Sequence, residues 1–153
     1  MSTKLTATEL HDAVVEYLAT ERFSPPGGQF FPGGFYPSWR TYANSPVHQM
    51  PIPHRILGDI YPDVVIVDSE RGNLPMVIIE VETEDSLNPE TVCDKWLYDI
   101  ECSNMLYLYV PEGTALKAAE LCLESNKMHM ILVPKGIRTY GRNDDGTIRI
   151  TAA

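Results

Sequence analysis

The stretch Met76 to Thr83 constrains this chain most, reading Met-Val-Ile-Ile-Glu-Val-Glu-Thr. Its length and β-branched content suit a strand better than a helix. It begins apolar on both faces, which predicts a central strand covered from both sides. Alternation puts Met76, Ile78, Glu80 and Glu82 on one face and Val77, Ile79 and Val81 on the other. Two carboxylates on one face of a buried strand repel each other and lose their hydration, unless a cation or hydrogen-bond donors sit between them. The stretch therefore demands a two-sided core and a polar partner for Glu80 and Glu82.

The rest of the chain can supply that core. A length of 153 residues fits one domain, expected to span 1–153, with enough buried surface to fold without staples. No apolar run approaches a membrane span, and Met-Ser-Thr-Lys-Leu-Thr-Ala at the start lacks the apolar segment of a secretion signal. A cytoplasmic protein is expected. Cys93, Cys102 and Cys122 show no C-x-x-C spacing, so thiols in a reducing compartment are expected rather than a disulfide framework or zinc knuckle. The formal net charge of −9 argues against a general nucleic-acid coat protein but leaves room for a nuclease with acidic metal ligands.

Helical spacing of Leu10, Val14, Tyr17 and Leu18 predicts an amphipathic helix from Thr8 to Phe23, capped by Thr6 or Thr8. Residues 24–53 read as a long ordered loop rich in Pro, Gly and aromatics, among them Phe30, Phe31, Phe35, Tyr36, Trp39 and Tyr42. Its functional readings are base stacking or packing against a second subunit as a homodimer; a loop folded on its own domain is preferred. Strands are expected at Arg55 to Tyr61, Asp63 to Asp68 and Met76 to Thr83, with a turn at Ser69 to Asn73. Ser86 or Asn88 caps a helix running to Ser103, with Pro89 in its first turn. A strand from Met105 to Val110, a helix from Gly113 to Ser125, a strand from Met128 to Val133 and an edge strand from Thr147 to Thr151 complete the expectation. The order predicts an α/β fold of three αβα layers with a mixed central sheet.

Asp63 opens the strand before the acidic one and, in an antiparallel pair, reaches the same end as Glu80. Three carboxylates from two strands offer the hard oxygen donors that Mg²⁺ or Mn²⁺ prefers. The pattern Pro62-Asp63, a hairpin, then Glu80-Val81-Glu82 resembles the PD-(D/E)XK motif of the restriction-endonuclease-like nuclease superfamily, and the order of elements resembles its αβββαβ core. The resemblance implies a metal-dependent nuclease, on DNA before RNA, in which Asp63 and Glu80 hold the metal. It further implies an acidic residue on the first helix that joins through water, for which Glu16 is the candidate. Where the motif usually carries Lys, this chain carries Glu82. A Glu-type site, a lysine displaced to Lys95 on the next helix, and a site that has lost activity all fit that departure. A catalytically inactive interaction or dimerisation module is the alternative from another class.

Other residues carry less. Glu84 and Asp85 read as a solvated strand exit. His48 and His54 lack zinc spacing and count as loop histidines, with His54 or Arg55 near enough to the strand to meet phosphate. His11 and His129 read as surface or satisfied core residues. Lys135, Arg138, Arg142 and Arg149 form a locally basic stretch that Asp144 and Asp145 interrupt.

Overall fold

The computed structural model describes residues 5–25, 28 and 37–152. The first helix, α1 (Ala7–Tyr17), starts where a capping box allows it: Glu9 N–H donates to the Thr6 hydroxyl and Thr6 N–H to Glu9 Oε1, both at 3.1 Å. It runs on through a wider turn, Leu18–Arg22, so the helix closes one residue before Phe23.

Six strands form one mixed sheet in the order β1 (Trp39–Ala43), β4 (Val64–Asp68), β5 (Leu74–Val81), β6 (Leu106–Pro111), β7 (Gly136–Arg142) and β8 (Ile148–Ala152). The pairs β1–β4, β4–β5 and β7–β8 are antiparallel, while β5–β6 and β6–β7 are parallel. Every residue of β4 is buried, as are Val77 to Val81 of β5, so both strands are interior as their apolar runs require. The crossover from β5 to β6 is one helical run: α2 (Pro89–Thr91), the wide turn Val92–Trp96, and α3 (Leu97–Cys102). Asn88 caps it by accepting from Thr91 N–H at 2.9 Å. The helix α4 (Ala115–Lys127) makes the next crossover.

Two cores lie on opposite faces of the sheet. Val14 and Val15 from α1, Leu18 from the wide turn and Phe23 just after it pack on Val64, Ile66, Val77, Ile79 and Val81. Val92 and Trp96 from the crossover, with Ala118 and Cys122 from α4, pack on Val65, Val67, Ile78, Leu106 and Leu108. The expected α/β class with a mixed sheet is therefore present, with helical residues packed on both of its faces. No helix among the described residues is long and apolar enough to cross a membrane.

Three expectations need correction. The loop 24–53 contains β1, the edge strand of the main sheet, and β2 (Ile52–His54); Phe30, Phe31, Phe35 and Tyr36 lie outside the described residues. Arg55 to Tyr61 is not a strand of the main sheet: only β3 (Gly58–Ile60) forms there, paired with β2 in a separate two-stranded ribbon. Met128 to Val133 is irregular, and the strand begins later, at Gly136. Leu132 is fully buried while Ile131 and Val133 stay about two-thirds exposed, at 66% and 64%. His129 also takes a left-handed φ of 61°, which a strand does not accommodate.

A smaller difference concerns Met76. The β4–β5 register slips between Ile66 and Val67, whose partners are Val77 and Pro75, so Met76 is an extra residue on β5. Met76 consequently packs with Val77 on the α1 side, while Ile78 keeps the face shared with Glu80.

Candidate functional site

Glu80 and Glu82 lie at the end of β5, on the face that carries the crossover helix, and are 2% and 1% exposed. That burial excludes a solvated edge. Glu82 is fully engaged: Oε1 accepts from Ser86 Oγ at 2.9 Å and Lys95 Nζ at 3.1 Å, and Oε2 accepts from Trp96 Nε1 at 2.7 Å and Lys95 Nζ at 3.2 Å. Its backbone carbonyl also accepts from the Tyr140 hydroxyl at 2.6 Å. The donors arise because the helix capped at Asn88 turns Lys95 and Trp96 back over the strand end.

Glu80 has a different environment. Its Oε1 accepts from Asp63 N–H at 3.1 Å, and Asp63 Oδ2 in return accepts from Val81 N–H at 2.8 Å. Those two bonds tie the two strand ends together, as their antiparallel register of Val64 with Ile79 permits. Asp63 is further fixed by buried Asn44, whose N–H donates to Asp63 O at 2.9 Å and whose Nδ2 donates to Pro62 O at 2.8 Å. The other side of Glu80 meets Asp99 of α3, which is 2% exposed. Asp99 Oδ2 finds no hydrogen-bond partner among the described residues.

The electrostatics follow from that placement. Burial, then the charge and contact of Asp99, then Asp63, hold the Glu80 carboxyl well above the usual carboxylate range, with Lys95 pulling weakly the other way. Burial pushes Asp99 up to about 7, against its contact with Glu80 and the charge of Lys95, while Glu82 and Asp63 push it further up. Burial opposes the charge of Lys95, but Glu80, Glu82 and Asp63 outweigh it, so the ammonium is held above its ordinary range. Asp63 Oδ2 also lies 3.2 Å from His11 Nε2. Burial would neutralise that imidazole, yet Asp63, followed by Asp12, raises it to about 9.

Asp63, Glu80, Lys95 and Asp99 line a cavity of about 580 Å³. Asp59, Asp63, Glu80, Glu90, Asp94 and Asp99 are its acids, Tyr61 and Tyr98 its aromatic walls, and Lys95 the one cation among the described lining residues. An all-oxygen carboxylate set of this kind suits a hard divalent cation. Side by side, Glu80 and Asp99 lack a donor between them, so a shared proton or a cation is what reconciles them. As the side chains stand, no group of three or more His, Cys, Asp and Glu residues is arranged to hold a metal ion among the described residues. The engaged oxygens explain why: Glu82 points at Lys95 and Trp96, and Asp63 Oδ2 at Val81 N–H and His11.

Asp63, Glu80, Glu82 and Lys95 are thus brought together. Glu16 is not: it is exposed and lines a separate groove with Glu9, Asp12, Thr41 and Gln49. The first helix reaches the cluster through His11 instead, one turn earlier. His54 is buried against Glu101, with Nε2 2.6 Å from Oε2 and Nδ1 accepting from Ile56 and Leu57 N–H. Its ring is committed to the β2–β3 ribbon rather than free for phosphate. Glu84 and Asp85 are exposed, as a solvated strand exit requires. Asp99 and Asn44 are not singled out from the sequence, and His11, expected as a surface or satisfied core residue, is the one that meets Asp63. The signal for Asp99 was present, since Val92, Trp96 and Asp99 fall on one helical face and an acid there interrupts an otherwise apolar stripe.

Comparison with protein families, curated proteins and solved structures finds no match to the chain.

Proposed function

We propose that this chain is a divalent-metal-dependent phosphodiesterase acting on nucleic acid, DNA before RNA, on a restriction-endonuclease-like frame. The observation that carries the reading is the reciprocal tie between Asp63 and Glu80 at adjacent strand ends, beside a second buried acid that lacks a donor. Support also comes from β1. With that strand in place, the order α1, β1, β4, β5, crossover helix, β6 follows the αβββαβ sequence of elements, whereas β2 and β3 form a side ribbon.

Asp63 and Glu80 are the residues that would hold Mg²⁺ or Mn²⁺. Bound there, the cation would polarise the scissile phosphate and lower the pKa of the attacking water. Lys95 takes the part of the motif lysine from the following helix, and Glu82 orients it through the 3.1 Å ion pair. An ammonium held protonated at that point offsets charge that builds on the phosphate oxygens. Glu82 is then a positioning residue and His11 steadies Asp63. With six acids against one lysine in the cavity wall, an anionic backbone is repelled in the absence of metal, so nucleic-acid binding itself depends on the cation.

The test is cleavage of DNA and RNA substrates, single- and double-stranded, with Mg²⁺ or Mn²⁺, by wild type and Glu80→Ala. Loss of cleavage in the variant is expected; cleavage that persists refutes the assignment. Two observations favour the non-catalytic reading: Lys95 is held by Glu82, and among the described residues no three carboxylates are arranged to hold a metal ion. Wild type that binds no Mn²⁺ and cuts no substrate would establish that reading instead.

A further inference from the structure

Glu80 and Glu82 leave the same face of the same strand, yet only Glu82 is supplied with donors for both oxygens. Opposite Glu80 stands Asp99, one helical turn beyond Lys95 on the crossover helix. Asp99 is as buried as the apolar residues around it, lines the cavity, and leaves Oδ2 without a partner. An ionised carboxylate in such a place is costly unless something positive or protic faces it. The nearby ammonium is already bound by both oxygens of Glu82, and Glu80 is itself an acid. A helix that needed only to pack would carry a leucine or alanine at this position, beside Val92 and Trp96.

We propose that Asp99 is a ligand of the divalent cation, bridging from the crossover helix to Glu80 on β5, with Asp63 as the third donor. The proposal rests on the metal reading of Asp63 and Glu80 and adds a residue that the strand motif does not contain. It places the cation between sheet and helix rather than at the strand ends alone. It also explains why Lys95 and Trp96 are drawn to Glu82: they keep that carboxylate out of the cation's reach and leave Glu80 and Asp99 as the acids facing each other. A hard cation such as Mg²⁺ or Mn²⁺ fits three carboxylates with water completing its shell, and a softer ion finds no sulfur or imidazole among the three donors.

The test is calorimetric titration of the full chain with Mn²⁺, without substrate, for wild type and Asp99→Asn. The amide keeps the shape of the side chain and can donate to Glu80, so the variant should fold; Asp99→Leu is the second variant if it does not. Binding by wild type and at least a tenfold loss of affinity in the variant is the expected result. Equal affinity and stoichiometry in both would overturn the role of Asp99 while leaving Asp63 and Glu80 as ligands. No binding by wild type would overturn the metal reading itself, and the proposal with it. Direct ligation is separated from positioning by Asp99→Cys titrated with Cd²⁺. A thiolate-to-metal absorption band beyond that of wild type supports ligation, and its absence in a folded variant counts against it.

Discussion

Replacing Asp99 by Asn should stabilise the metal-free protein, and the gain should depend on pH. The carboxyl has its pKa raised from 3.8 to about 7, so between those values the folded state holds a proton that the unfolded chain has released. Stability then falls as pH rises from about 4 to about 7, and the whole penalty is present above that window. At ~1.36 kcal/mol per pKa unit, the ionised group costs about 4 kcal/mol at most. Relaxation around the buried group absorbs part of this, which leaves an expected gain of about 2 kcal/mol for Asp99→Asn near pH 8. For a chain of this length that is a rise in Tm of roughly 6 °C. Near pH 4 the gain should shrink to about 0.5 kcal/mol, because the folded form is then protonated and the unfolded chain, titrating at 3.8, is close to half protonated. Urea denaturation at the two pH values, in chelator, measures the difference. A variant no more stable than wild type near pH 8, or one with the wild-type pH slope, refutes the idea that Asp99 is held against its ionisation.

Other outcomes follow from the same cluster. Lys95→Met leaves buried Glu82 with Trp96 and Ser86 alone; loss of one partner from a buried pair costs about 3–5 kcal/mol, reduced here to about 2 kcal/mol because Lys95 is 39% exposed. Adding Glu82→Gln should recover at least about 1 kcal/mol of that loss in a double-mutant cycle, and strict additivity would show that the pair is not coupled. His11 is raised from 6.5 to about 9, so the stability it contributes is complete below its unfolded value and disappears as pH rises through about 9. Asp63→Asn should lower the NMR titration midpoint of His11 by more than ~1 pH unit, and a midpoint that stays put would contradict the Asp63 contact. In the nuclease assay, Lys95→Met should reduce cleavage by about 10²-fold or more, the scale of losing a charge-stabilising donor; an unimpaired variant removes Lys95 from the chemistry.

The parts of the fold that were legible in the sequence are those where local pattern and burial agree. Val64 to Asp68 and Val77 to Val81 are runs rich in β-branched residues and buried on both faces, and the tie between Asp63 and Glu80 follows from alternation plus an antiparallel hairpin. β1 was hidden because Trp39-Arg40-Thr41-Tyr42-Ala43 is an edge strand, mostly half-buried, inside a segment punctuated by Pro and Gly. Its strandedness comes from the register with β4, a tertiary fact. Met128 to Val133 failed for the opposite reason: it is apolar enough for a strand, but only Leu132 is taken into the core. Glu16, the acid expected on the first helix, lies away from the cluster because helix phase alone cannot say which turn of α1 passes the end of β4. That turn carries His11, a residue type the motif does not specify.

The contrast between two glutamates only two residues apart carries the argument for function further than either alone. Around Glu82 the fold behaves as a structural polar network should: every acceptor has a donor, an ammonium neutralises the charge, and the indole of Trp96 seals it from water. Around Glu80 the fold places a second carboxylate, turns the available lysine toward Glu82, and leaves an oxygen of Asp99 unpaired. A network built only for stability would distribute its donors the other way, since Glu80 has the greater need. The donors are therefore arranged so that Asp99 Oδ2 goes without one beside Glu80, at a cost carried by the two hydrophobic cores on either face of the sheet. Such a pair stores affinity for whatever positive group can enter between it. The cavity opening onto Asp63, Glu80 and Asp99 makes that entry physically available.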